Sequence, residues 1–173
     1  KYGLTPDSFE MILEPENTQS WRGVTIGNGL VSVAAKLAAN GFHPEFVAPS
    51  TTNMGNALPY FSTLATVSGA AALVSTLAYH RYGGESVANA QAIHAAAQAR
   101  GIKTAMLEKV DAGIDQLIED LTVVHVSGWQ QWAMAGRTTN ADNGGYYARV
   151  NVGQSGASAI TMARRSAQLA NVF

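Results

Sequence analysis

A chain of 173 residues with 47% hydrophobic side chains holds enough apolar material for one packed domain, and its 13% charged content lies far below the roughly 25% of an average soluble domain. The net charge of −1, with no basic block and no Lys/Arg stripe interleaved with aromatics, argues against nucleic acid or an anionic membrane surface as partner. The absence of Cys excludes a disulfide scaffold and a thiolate metal site, and no apolar run reaches the roughly 18 residues of a membrane span.

The chain opens at Lys1, without Met and without a signal peptide, and passes almost directly into a strand, so its natural N-terminus is expected to lie upstream. Phe9, Met11 and Leu13 alternate with Glu10, Ile12 and Glu14, a pattern for a short strand buried on at least one side, and Pro15 removes the next ladder donor. That strand would end on Glu14. A polar loop with Glu16, Asn17, Trp21 and Arg22 follows, placing an acid where water is scarce beside a ring that could stack on a sugar. Residues 23–40 read as a helix with Ile26, Leu30, Val33, Leu37 and Ala38 on one side and Gly41 as its stop. Residues 45–48 read as a strand stopped by Pro49, and the polar cluster Ser50, Thr51, Thr52 and Asn53 comes next. A helix over 54–67, with Pro59 near its first turn, leads through Gly69 to a strand over 73–79. That strand exits through His80, Arg81, Tyr82, Gly83 and Gly84.

Ser86 caps an Ala-rich helix that Gly101 ends, and a strand over 103–107 finishes on Glu108. Residues 111–121 form a further predicted helix. The β-branched run over 122–126 predicts a strand, with Ser127, Trp129, Gln130 and Trp132 at its polar and aromatic exit. Residues 144–152 suggest an irregular or hairpin insertion, and 158–173 a last helix with Ile160, Met162, Leu169 and Phe173 on its apolar side.

Five strand-then-helix units in a row imply an α/β fold with a parallel sheet covered by helices. A doubly wound open sheet and part of an eight-unit barrel both accept that count, and both place function at the carboxyl ends of the strands. All five strand exits are polar or aromatic, whereas the opposite turns are Asn40-Gly41, Gly69-Ala70 and Arg100-Gly101. Glu14 and Glu108 each stand as the first carboxylate at a strand end, three strands apart, which in a closed barrel sets them across the mouth from each other. Facing carboxylates about 5–5.5 Å apart serve as acid/base and nucleophile in a retaining glycosidase, and about 6.5–9.5 Å apart as an inverting pair.

With those residues in view, the chain resembles the second half of the (β/α)8 barrel of clan A retaining β-glycoside hydrolases, from strand four to helix eight. Leu13-Glu14-Pro15-Glu16-Asn17 resembles the Asn-Glu-Pro acid/base motif, and Met106-Leu107-Glu108 the nucleophile segment. Ala78-Tyr79-His80-Arg81-Tyr82 resembles the strand-six segment whose aromatic and His residues touch nucleophile and sugar. Trp129, with Gln130 and Trp132, resembles the Trp that floors the sugar subsite, and 162–173 fits the last barrel helix. The resemblance implies a partial TIM barrel of about five βα units over residues 1–173. It implies double displacement with Glu14 as acid/base and Glu108 as nucleophile, a β-linked oligosaccharide, polysaccharide or glycoside as substrate, and no cofactor or metal. Substrate contacts would come from Asn17, Trp21, Asn53, His80, Tyr82, Trp129 and Gln130.

Two departures qualify that implication. Leu13 stands where the family has an Asn that binds the 2-hydroxyl, so either Asn17 or Asn53 substitutes or Glu16 is the acid; the Pro directly after Glu14 favours Glu14. Strands one to three of the barrel, with the Arg and His residues they supply, are missing, and the open sheet edges invite self-association. A secreted or periplasmic parent would suit a polymeric substrate, although the compartment stays open. His43, His94 and His125 lack metal-ligand spacing, and Gly27-Asn28-Gly29 lies within a helical pattern rather than after a strand, which excludes a dinucleotide fingerprint. Two other functions remain alongside hydrolysis: a carbohydrate-binding barrel remnant without turnover, and a doubly wound domain binding a small ligand.

Overall fold

The computed structural model describes residue 3, residues 5–110 and 112–132, and three short strands within 135–137, 148–150 and 160–162. Strands β1 (Ser8–Glu10), β2 (Glu45–Thr51), β3 (Val74–His80), β4 (Lys103–Glu108) and β5 (Gly128–Trp129) form one sheet in chain order, every neighbour parallel. Helices α1 (Gly23–Ala38), α2 (Ala57–Leu64), α3 (Ala70–Leu73), α4 (Val87–Gln98) and α5 (Ile114–Glu119) cover its outer face. The sheet curls into a half-barrel. Its strand order has no reversal and hence no switch point, which sets aside the doubly wound alternative.

The core lies between the sheet and the helices. Ile26 and Leu30 of α1, Phe61 and Leu64 of α2 and Ile93 of α4 pack on Phe46, Leu77, Tyr79 and Met106 of the strands, all buried. α1 and α2 approach closely because Gly27 lacks a side chain: a Cβ there would sit 2.9 Å from the Leu64 carbonyl oxygen.

Four expectations need correction. β1 stops at Glu10 rather than Glu14, and Phe9 and Leu13 are exposed, so the alternation does not mark a buried face. β2 runs through Pro49 to Thr51, because Pro49 sits beside a register irregularity where the ladder lapses and no donor is needed. The β-branched run at 122–126 does not form a strand: α5 continues as a π-helical turn over Asp120–Val124, and His125 closes it in the left-handed region at φ 56°. Thr104 of β4 fixes that turn by donating to the carbonyls of Val124 and His125, and β5 is left with two residues. Within the predicted last helix, Ile160–Met162 is instead strand β8, antiparallel to β7 (Ala148–Val150), which pairs in parallel with β6 (Ala135–Arg137). The remaining residues of that helix, 158–159 and 163–173, lie outside the described residues.

Candidate active site

The carboxyl end of β3 sorts four consecutive side chains by the strand's period of two. Tyr79 and Arg81 turn to the helix side and bind Asp120, while His80 and Tyr82 turn inward and meet Glu14 and Glu108. Glu108 would face the helices if β4 kept strict alternation after Met106. Instead Tyr79 pairs Met106 and His80 pairs Glu108, so Leu107 is an extra residue, and this bulge turns Glu108 to the inner side.

Glu14 lies four residues beyond β1, in the left-handed region at φ 48°, ψ 58°, a conformation that costs a non-glycine residue about 1–2 kcal/mol. Its own N–H donates to the Ser50 carbonyl at 3.0 Å, and Asn17 N–H returns to the Glu14 carbonyl at 3.0 Å. Ser50 is also left-handed, at φ 54°, and is the extra residue of a second bulge, between the pairs Pro49 with Ala78 and Thr51 with Tyr79. Two strained residues are therefore clasped together at one strand end, where both side chains meet His80.

The carboxylate of Glu14 accepts from Asn17 Nδ2 at 2.6 Å and lies 2.9 Å from His80 Nδ1; His80 is fully buried and Glu14 is 18% exposed. Glu108 accepts from the Tyr82 hydroxyl at 3.0 Å. The Tyr82 oxygen itself accepts the Val110 N–H at 3.1 Å, so the phenol's single proton is directed to Glu108. Partial burial, and then the bond to Glu108, push this phenol up to about 12, so it stays a donor at any ordinary pH. One atom each of Glu14, His80 and Glu108 lie within 4.8 Å of one another. In a flat sheet β1 and β4 would stand about 14 Å apart, three spacings of roughly 4.7 Å. The curl and the Leu107 bulge close that gap. That spacing would also suit ligands of a divalent ion, but His80 Nδ1 and Glu14 Oε1 already satisfy each other at 2.9 Å.

The structure thus brings Glu14, Asn17, His80, Tyr82 and Glu108 together, and it places the other candidates elsewhere. Asn53 accepts from Gly55 N–H through Oδ1 at 2.8 Å, capping a short helical turn. Glu16 accepts the Asn53 N–H at 2.8 Å and braces that same turn rather than joining Glu108. Trp21 is half-buried and packs on α1, its ring 3.6 Å from the position a Cβ would take at Gly29. Trp129 pairs with Met106, shares its helix-facing side and donates its indole N–H to Asp120 at 3.0 Å, so its ring does not floor the inner hollow. Gln130 is exposed and is held through its main chain to Met106. Trp132, 57% exposed, follows β5, with its N–H on the Lys109 carbonyl at 3.2 Å. An apolar cavity of about 300 Å³ lined by Ala34, Ala38, Phe42, Phe46 and Leu73 lies among α1 and the start of β2 and holds none of these groups.

Behind the site lies a buried charge cluster that local sequence patterns do not announce. Asp120 is fully buried and accepts from Arg81 Nε and Nη2 at 3.0 Å each, from the Tyr79 hydroxyl and from Trp129. Burial pulls the Arg81 guanidinium down, but Asp120 and Glu119 outweigh it and hold the cation. Burial likewise pushes the Asp120 carboxyl up, opposed by Arg81, Tyr79 and Trp129. This cluster ties the β3 exit and β5 to the α5 turn, fixing the segment that carries His80 and Tyr82. Ser50 reaches His80 Nε2 at 3.2 Å and joins Glu10 to it, but contacts across 30 and 40 residues leave no local signal in the sequence.

No protein-family model and no curated protein matches the sequence. Solved structures do match. The catalytic domain of GH30 xylanase C from Talaromyces cellulolyticus aligns at TM-score 0.66 and 12% identity over 94% of this chain and 40% of that one. SrfJ from Salmonella typhimurium aligns at 0.66 and 14% over 92% and 40%, and a GH30 endoxylanase from Clostridium papyrosolvens C71 at 0.53 and 18% over 73% and 34%. At these identities the likeness establishes the fold alone, and the chain spans roughly 34–40% of the length of these structures. Five parallel strands with helices between them, curled as half of a (β/α)8 barrel, are what this chain shares with them.

Proposed function

We propose that this chain carries the catalytic half of a retaining β-glycoside hydrolase, with barrel strands one to three supplied by the preceding part of its parent. One observation carries the reading: Glu14 and Glu108 offer oxygens within 4.8 Å of each other from non-neighbouring strand ends, a separation suited to a retaining rather than an inverting pair. The ionised Glu108, oriented by Tyr82, attacks the anomeric carbon as Glu14 gives its proton to the departing oxygen, and a glycosyl ester forms on Glu108. Glu14, now a carboxylate, takes a proton from water, whose oxygen displaces Glu108 and leaves the product with its original anomeric configuration. His80 and Asn17 hold the two oxygens of Glu14 in place for both steps. β-Linked xylan is the first substrate to try, because two of the similar structures are named as xylanases.

The test uses the complete polypeptide. Glu108→Gln is expected to abolish turnover of aryl β-glycosides, and proton NMR of the wild-type reaction is expected to record the β-anomer first. Near-normal turnover by Glu108→Gln would refute the assignment. Binding of xylo-oligosaccharide without turnover by the wild type would favour the carbohydrate-binding remnant instead.

A further inference from the structure

Beside Glu14 stands another carboxylate that double displacement does not use. Glu10, the last residue of β1, accepts a hydrogen bond from Ser50 Oγ. The same Oγ lies 3.2 Å from His80 Nε2, and the other ring nitrogen, Nδ1, lies 2.9 Å from Glu14 Oε1. Four side chains thus run in series, Glu10 to Ser50 to His80 to Glu14, and the middle two are fully buried.

Donor arithmetic gives the series a direction. A carboxylate offers only acceptors and a serine hydroxyl has one proton, so Ser50 spends its proton on Glu10 and meets Nε2 as an acceptor. Nε2 must then carry the ring's N–H. In a neutral ring Nδ1 is left with a lone pair, and its contact with Glu14 needs a proton on the Glu14 carboxyl. We propose that Glu10 and Ser50 are positioning residues that fix His80 as its Nε2–H tautomer and so hold the transferable proton on Glu14. This inference rests on the reading of Glu14 as the general acid. The backbone supports it independently: Ser50 keeps a left-handed conformation that a glycine would adopt without strain, and its carbonyl also holds the Glu14 N–H. Among the described residues, the other titratable groups facing the ring are Tyr82, whose centroid is 6.3 Å away, and Glu108.

The test is long-range ¹H–¹⁵N NMR of His80 in the complete polypeptide, with His80→Gln assigning the signals. The wild type should display a protonated, pyrrole-type Nε2 and an unprotonated Nδ1. In Glu10→Ala the Ser50 proton is released to Nε2 and the tautomer should invert, whereas Glu10→Gln, whose carbonyl still accepts from Ser50, should restore the wild-type pattern. Glu10 is exposed at a strand end, so its replacement spares the core, unlike that of buried Ser50. In activity, Glu10→Ala should slow alkyl glycosides, which need acid assistance, about 10-fold more than 2,4-dinitrophenyl glycosides, which do not. A wild-type ring protonated at Nδ1, an unchanged pattern in Glu10→Ala, or an equal loss on both substrates would overturn the proposal. A wild type that cleaves no glycoside would instead remove the hydrolase reading, and the NMR arm would still decide the tautomer.

Discussion

Replacing Asp120 by Ala should be among the most damaging single changes in this fold. The carboxylate is fully buried and satisfies four donors from Arg81, Tyr79 and Trp129, while Arg81 is itself only 2% exposed. Removing it leaves the guanidinium with Glu119 at 2.8 Å and Glu85 at 3.1 Å, both about 30% exposed and partly screened by water. Breaking one side of a buried ion pair costs about 3–5 kcal/mol, a large share of the roughly 5–15 kcal/mol that holds a domain together. For a chain of this size that corresponds to a fall in Tm of about 6–20 °C. Urea denaturation of the complete polypeptide, followed by tryptophan fluorescence, reads the change. Replacing both partners, as Arg81→Met with Asp120→Leu, should recover much of the loss, since no unpaired charge then remains. A cost for Asp120→Ala below about 1 kcal/mol, the scale of an exposed pair, would refute the assignment of this cluster as the brace behind the site.

Gly84→Ala combines a left-handed φ of +64° with a Cβ that would overlap Asn53 Oδ1 and sit 2.6 Å from Gly55 N, so it should lower Tm and, by displacing the Asn53 turn, turnover as well. Gly27→Ala would force α1 off the Leu64 carbonyl; despite a helix-propensity gain of about 1 kcal/mol it should destabilise by about 1–3 kcal/mol in thermal melts. Tyr82→Phe removes the donor to Glu108 and should cut kcat about 10-fold or more. Alkaline absorbance titration should find the Tyr82 phenol near 12, moving down only part of the way in Glu108→Gln, because partial burial is the larger cause. The stability that Tyr82 contributes by keeping its proton is full below its unfolded value of about 10 and is lost as pH rises through 12.

The alternation of strands and helices was legible because apolar periodicity and Gly stops survive in local sequence, and it carried Glu14, His80, Tyr82 and Glu108 to the correct end of the sheet. Orientation was less legible. Glu108 faces inward only because Leu107 is bulged, and Trp129 faces outward because it pairs with Met106; both follow from inter-strand register, which no single segment encodes. The β-branched run from Thr122 to Val124 favours a strand locally, yet tertiary contacts with Thr104 hold it as a π-helical turn. Residue type alone points Asn53 and Trp21 towards a sugar, whereas the fold engages them in a turn and against α1.

The paired carboxylates are tested most directly by trapping the covalent intermediate. The complete polypeptide is incubated with a 2,4-dinitrophenyl 2-deoxy-2-fluoro-β-xyloside, digested and sequenced by mass spectrometry. The account predicts a fluoroglycosyl ester on Glu108, formed at a similar rate in Glu14→Ala because this leaving group needs no acid. An adduct on any other residue, or turnover of β-xylosides with inverted products, would contradict it.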